Sequence, residues 1–262
     1  MTFGGPRVPP DHRLGAVSLT LVALALATGC ASAPPPPAAP PLAAAAAPAP
    51  GAALPPLLRD LDMTPAQEAE ALRINADLVS SAESLAGAAD DLGRSVAGAV
   101  RKCKGDSPFM DADAARLVRE GEEVRGPVID AVQRFHRLLT PAQRRKLSAR
   151  LVEGDDWAKR ERRNASRTRD LGPALDLSTM QLMKMLVKAG VLWTSFADKA
   201  EPWRGHYRAA IANFARDDFD ARREPVAAVP VVALTVEFVR TGLRLLVPLL
   251  EPKQCEALGG LI

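Results

Sequence analysis

The sequence predicts an all-α fold, built as two tandem helical hairpins packed antiparallel, and two observations carry that expectation. One is a short phrase that occurs twice in full and twice in worn form: Leu61-Asp62-Met63-Thr64-Pro65-Ala66-Gln67, Leu138-Leu139-Thr140-Pro141-Ala142-Gln143, Leu175-Asp176-Leu177-Ser178-Thr179-Met180-Gln181 and Leu249-Leu250-Glu251-Pro252-Lys253-Gln254. The other is that apolar residues recur at steps of three and four, with no alternating run bounded by hairpin turns.

Each copy of the phrase reads as a helix start. Thr or Ser at the N-cap accepts a backbone N–H, Pro suits the first helical position, and Gln at the third reaches back to the N–H of the cap. Thr64 to Thr140 is 76 residues, Ser178 to Glu251 is 73, and Thr64 to Ser178 is 114, so one unit is written twice. A loop landmark agrees: Phe109-Met110-Asp111-Ala112 lies 31 residues before Thr140, and Phe219-Asp220-Ala221 lies 32 before Glu251.

Residues 1–29 read as a leader rather than a fold. Arg7 and Arg13 precede an apolar stretch from Leu14 to Ala27 that is too short for a membrane span. Ala27-Thr28-Gly29-Cys30 resembles a bacterial lipobox, which implies cleavage before Cys30 and lipidation of its thiol. Ala31 and Ser32 lack the Asp of retained lipoproteins, which resembles the pattern sent to the outer membrane, facing the periplasm. Residues 30–56 are the lipidated Cys and a Pro/Ala-rich stretch that buries no core and reads as an extended tether.

Unit one spans 57–152. Ile74, Leu78, Ala82, Leu85, Leu92, Val96, Val100 and Cys103 form one helical stripe, with a bend or break expected near Gly87, Gly93 and Gly98. A second helix is expected from about Asp111 to Leu138, kinked at Pro127, and a third from Thr140. Residues 153–170 form a basic connecting segment without an apolar stripe, and 171–262 repeat the order as unit two. Residues 226–250 are apolar enough to suggest a span, but Glu237, Arg240 and Arg244 share a face where they pair with one another, so the expectation is a deeply buried helix.

Charge gives no global argument for nucleic acid, and none is expected as a partner, since 34 basic residues against 31 acidic leave a net of only +3. No Gly-rich phosphate loop, nucleophile elbow or Cys/His spacing appears, so no catalytic residue and no cofactor are expected. His136, His206, Met180, Met183 and Met185 are candidate metal ligands by type, but no His pair has ligand spacing; the methionines are expected in the core and no metal site is expected. Trp157, Trp193, Trp203 and Tyr207 read as core or interface packing.

The run Phe135-His136-Arg137-Leu138-Leu139-Thr140-Pro141-Ala142-Gln143-Arg144, with an earlier capped copy and a Phe-x-Asp loop between, resembles the Spy/CpxP family of periplasmic helical proteins with paired Leu-Thr-x-x-Gln motifs. Residues 57–152 carry the resemblance well and 171–262 in outline, with Glu251 the most worn position. It implies an ATP-independent chaperone that holds unfolded envelope proteins on a mixed apolar and basic surface, or an adaptor for stress or heavy-metal sensing that binds one periplasmic sensor domain. The motif residues Thr64, Gln67, Thr140, Gln143, Ser178, Gln181 and Gln254 would set helix starts rather than touch clients. In such a hairpin both motifs lie at one end. A helical 141–170, about 45 Å long, would carry the chain to the other end, setting the hairpins antiparallel and bringing Cys103 towards Cys255 for a disulfide.

Overall fold

The computed structural model describes residues 57–154 and 173–262, and among these the chain is helical with no strand. The expected leader, Cys30, tether and most of the basic segment with Trp157 lie outside the described residues. Seven α-helices follow in order: α1 Pro65–Ser81, α2 Glu83–Arg101, α3 Pro108–Leu138, α4 Pro141–Gly154, α5 Thr179–Phe214, α6 Val231–Leu246 and α7 Pro252–Leu261. Short 3₁₀ turns at Pro225–Ala228 and Val247–Leu249 lead into α6 and α7.

The first break falls at Ala82, where the backbone relaxes to φ −97° and ψ 0° between α1 and α2. The sequence expectation of a break at the glycines is therefore corrected: Gly87, Gly93 and Gly98 all lie inside α2. A continuous stripe of Leu85, Leu92, Val96 and Val100 holds α2 together across them, because packing outweighs the propensity cost of about 1 kcal/mol per Gly. Helix α3 starts at Pro108, earlier than expected, because the Ser107 hydroxyl accepts the Met110 N–H at 3.2 Å. It runs through Pro127 as one helix to Leu138.

The core is distributed along the helices. At one end Leu58, Leu61, Leu139 and Leu147 pack with Phe214 at the end of α5 and with Phe219 and Ala221 from the turn after it. Midway, Ile74, Leu78 and Leu85 meet Val124 and Val128 of α3. At the other end Leu92, Val96, Val100 and Met110 enclose Val236, Val247, Leu250 and Cys255. The turn of each half thus packs against helix starts of the other.

Two glycines allow this close packing. A Cβ at Gly259 of α7 would lie 2.8 Å from the carbonyl oxygen of Ala97, so α7 beds directly on α2. At Gly121 it would lie 2.9 Å from Cβ of Val232, where α3 crosses α6. Helix α6 is half-buried rather than deeply buried, with Val236 its one buried residue. Its charges also pair differently from the expectation. Glu237 binds Lys199 at 2.5 Å, Arg240 binds Asp111 and Arg244 binds Asp106 at 3.1 Å, so each reaches a neighbouring element instead of its own helix.

Candidate functional site

The glutamines of the repeated phrase do more than cap. Oε1 of Gln67 accepts the Thr64 N–H at 3.0 Å, while Nε2 donates to the Leu138 carbonyl at 2.8 Å and to Oε1 of Gln143 at 3.0 Å. Gln143 replies in kind: Oε1 accepts the Thr140 N–H at 2.9 Å, and Nε2 donates to the Asp62 carbonyl at 3.1 Å and to Oε1 of Gln67 at 3.2 Å. Both amides use two donors and two acceptors, which is their full capacity.

The same clasp is built again from the worn copies. Oε1 of Gln181 accepts the Ser178 N–H at 3.0 Å, and Nε2 donates to the Leu249 carbonyl at 3.2 Å and to Oε1 of Gln254 at 2.9 Å. Gln254 accepts from the Glu251 N–H at 2.9 Å and donates to the Asp176 carbonyl at 3.1 Å and to Oε1 of Gln181 at 3.3 Å. Equivalent residues supply every carbonyl, Leu138 matching Leu249 and Asp62 matching Asp176. Asp62 and Asp176 even share a left-handed backbone, with φ of 52° and 50°. Asp tolerates that conformation better than most residues. At Glu251, the most worn cap, the glutamine half of the motif remains intact.

Sequence reasoning places these glutamines as caps of their own helices and misses their pairing across motifs. The legible signal was the recurrence of Gln at the same offset in two copies at nearly equal separation.

The surroundings of the two clasps differ. Beside the second, Cys103 and Cys255 form a disulfide with Cα atoms 5.4 Å apart, spanning 152 residues of chain. Cys103 adopts φ 52° just past α2, which turns its side chain out of the helical path. Beside the first lies a buried polar node. His136 is 4% exposed, and its Nε2 lies 2.8 Å from the Arg216 carbonyl. Its ring contacts Phe214 edge-on at 5.3 Å and Phe219 at 5.0 Å. The Arg144 guanidinium, also buried, donates to the carbonyls of Leu139 at 3.1 Å and His136 at 3.3 Å and pairs with Asp217. Burial holds the His136 pKa below its ordinary 6.5, against the bond to Arg216, which favours the charged form.

Two surfaces remain. Between α3 and α6 an open trough of about 470 Å³ has an apolar floor of Ala114, Val118 and Val236 and a mixed rim of Arg119, Arg240 and Arg244 with Asp111 and Glu237. On α5, Met180 and Met183 are 65% and 56% exposed, which corrects their expected core placement. They lie on the side of α5 opposite Leu192 and Met185, which pack inward, so helical phase rather than residue type decides their exposure. Trp203 stacks on the buried Tyr207 at 5.6 Å, and Trp193 joins Phe196 and Phe238 in a ring cluster. Among the described residues no three His, Cys, Asp or Glu side chains gather as metal ligands, and no helix is long and apolar enough to cross a membrane.

No protein-family model, curated protein or solved structure matches the chain.

Proposed function

We propose that this chain is a lipoprotein of Spy/CpxP type, two tandem hairpins packed antiparallel and anchored through Cys30 to the periplasmic side of the outer membrane. Its activity in this reading is ATP-independent holding of unfolded envelope proteins. The duplicated glutamine clasp supports the tandem arrangement, because a shared fold for both halves accounts for the same six bonds and the same left-handed Asp at both sites.

The observation that carries the chaperone reading is the α3/α6 trough. Its Ala and Val floor offers dispersion and desolvation to any apolar side chain, and its rim of three arginines and two carboxylates engages polar flanks without selecting a sequence. Arg240 and Arg244 are partly neutralised by Asp111 and Asp106. Arg119, on the exposed rim, has no acidic partner among the described residues. Weak, unselective binding of this kind suits transient holding of many chains.

The test is suppression of aggregation of a reduced, unfolded client at a few-fold excess of the protein. Suppression is expected, and it should fall several-fold in Ala115→Glu/Arg119→Glu, whose side chains line the open trough. No suppression by the unaltered chain defeats the reading. Cross-linked pull-downs should bring down many envelope proteins; one stoichiometric partner would favour an adaptor for a sensor domain instead.

A further inference from the structure

The first half of α5 carries a surface that neither the clasps nor the trough uses. Met180, Met183, Val187 and Val191 fall at steps of three and four on one face and are 65%, 56%, 64% and 65% exposed, with Leu186 at its edge. Side chains more than half exposed stand proud of the surface; residues sunk in a groove would be screened by its walls. The stripe is about 17 Å long by helical rise. It ends where Thr194 and Asp198 take over the same face.

Charge on this half of the helix is one-sided. From Leu177 to Ala197 the sequence has two lysines, Lys184 and Lys188, and no acidic residue. Both lysines lie along one margin of the stripe at 100° per residue, and neither has an ion-pair partner among the described residues. What sets this flank apart is that no carboxylate accompanies its lysines; on other flanks cations meet acids, as with Arg73 to Glu70, Arg134 to Asp77, Lys146 to Asp62 and Arg150 to Asp60.

We infer that this face of α5 lies on an anionic lipid surface. A protruding apolar ridge enters the boundary between headgroups and acyl chains, while the lysine stems run along it and leave their ammonium groups at the depth of lipid phosphates. The absence of carboxylates on this half removes the repulsion that an anionic bilayer would otherwise exert. An extended peptide would be served better by walls on both sides, which the α3/α6 trough has and this ridge lacks. The inference adds to the chaperone reading and does not depend on it: the trough receives chains, and the ridge orients the body on the membrane.

Vesicle flotation of the full chain prepared without acylation of Cys30 tests it, with phosphatidylcholine alone and mixed with phosphatidylglycerol. Partition onto the mixed vesicles should fall about tenfold or more in Lys184→Glu/Lys188→Glu and in Val187→Glu/Val191→Glu, all at surface positions. A Val187→Trp variant reports locally, whatever else holds the chain to the bilayer: its added emission should be quenched by brominated acyl chains in mixed vesicles. Equal partition of parent and variants, or no quenching, overturns the inference. So does a dimer that Val187→Glu/Val191→Glu dissociates, which would assign the ridge to a second copy. The same variants should keep full client suppression; loss of suppression with unchanged partition would assign the ridge to unfolded chains. Failure of suppression in every form, with partition as expected, would defeat the chaperone reading alone.

Discussion

The two glutamine clasps use the same bonds and are secured by different chemistry. The Gln67–Gln143 clasp has a Thr cap on each side and lies among noncovalent contacts: the His136 and Arg144 node, the Phe214 and Phe219 rings, and the pairs Lys146 to Asp62 at 2.6 Å and Arg150 to Asp60 at 2.7 Å. The Gln181–Gln254 clasp has lost the hydroxyl at Glu251, and beside it Cys255 is tied to Cys103. The end with the degraded cap is the end with the covalent link. A cross-link that restricts the unfolded chain lowers the demand on any single hydrogen bond nearby.

Removing the covalent member is the strongest way to break this contrast. Cys103→Ser/Cys255→Ser, or reduction, should lower unfolding stability by about 2 to 4 kcal/mol, read by denaturant titration with and without reductant. Equal midpoints in the two conditions would show that the disulfide does not secure this end.

Next in size, Gln143→Ala strips partners from Gln67, the Thr140 N–H and the Asp62 carbonyl, and should cost about 1 to 3 kcal/mol, since Gln143 is buried. Gln254→Ala should cost a similar amount in the reduced protein and be harder to detect functionally in the oxidised one, where α7 stays attached to α2. In a double-mutant cycle, Gln67→Ala and Gln143→Ala should be clearly non-additive, because each removes a partner of the other. Additive losses would mean that the amides act only as caps of their own helices.

The smallest effect is a pH dependence confined to the first clasp. Burial lowers the folded pKa of His136 below its ordinary 6.5, so between these values the unfolded chain binds more protons than the folded one. Its contribution to stability is therefore present above about pH 6.5 and is lost as pH falls towards the folded pKa. Denaturation midpoints should drop on acidification through this window, and His136→Phe should flatten the slope. An unchanged slope in that variant would assign the pH response elsewhere.

Much of this was legible in the residues. Helix starts at Thr64, Thr140 and Ser178 follow from the local chemistry of a hydroxyl, an early proline and a glutamine at N3, which acts over one turn and needs no partner elsewhere. Three other features were not legible. Glutamine's second donor and acceptor are invisible until another helix start is brought within 3 Å. The break at Ala82 depends on how α1 and α2 share the face of α3, which outweighs the propensity of three glycines. Met180 and Met183 look like core by type, yet a helix apolar on several sides can bury only the side that its neighbours cover.

By itself, then, the sequence determined the all-α class, the helix starts and their repetition, because capping and periodicity are properties of a few consecutive residues. Whereas the Cys103–Cys255 bond was already expected from the motif geometry, only the tertiary structure decided which glutamines clasp, that Arg240 and Arg244 face Asp111 and Asp106, and which flank of α5 stays bare. Each of these needs groups far apart in the chain to share a few ångströms, and that proximity is set by how whole helices pack rather than by any local preference.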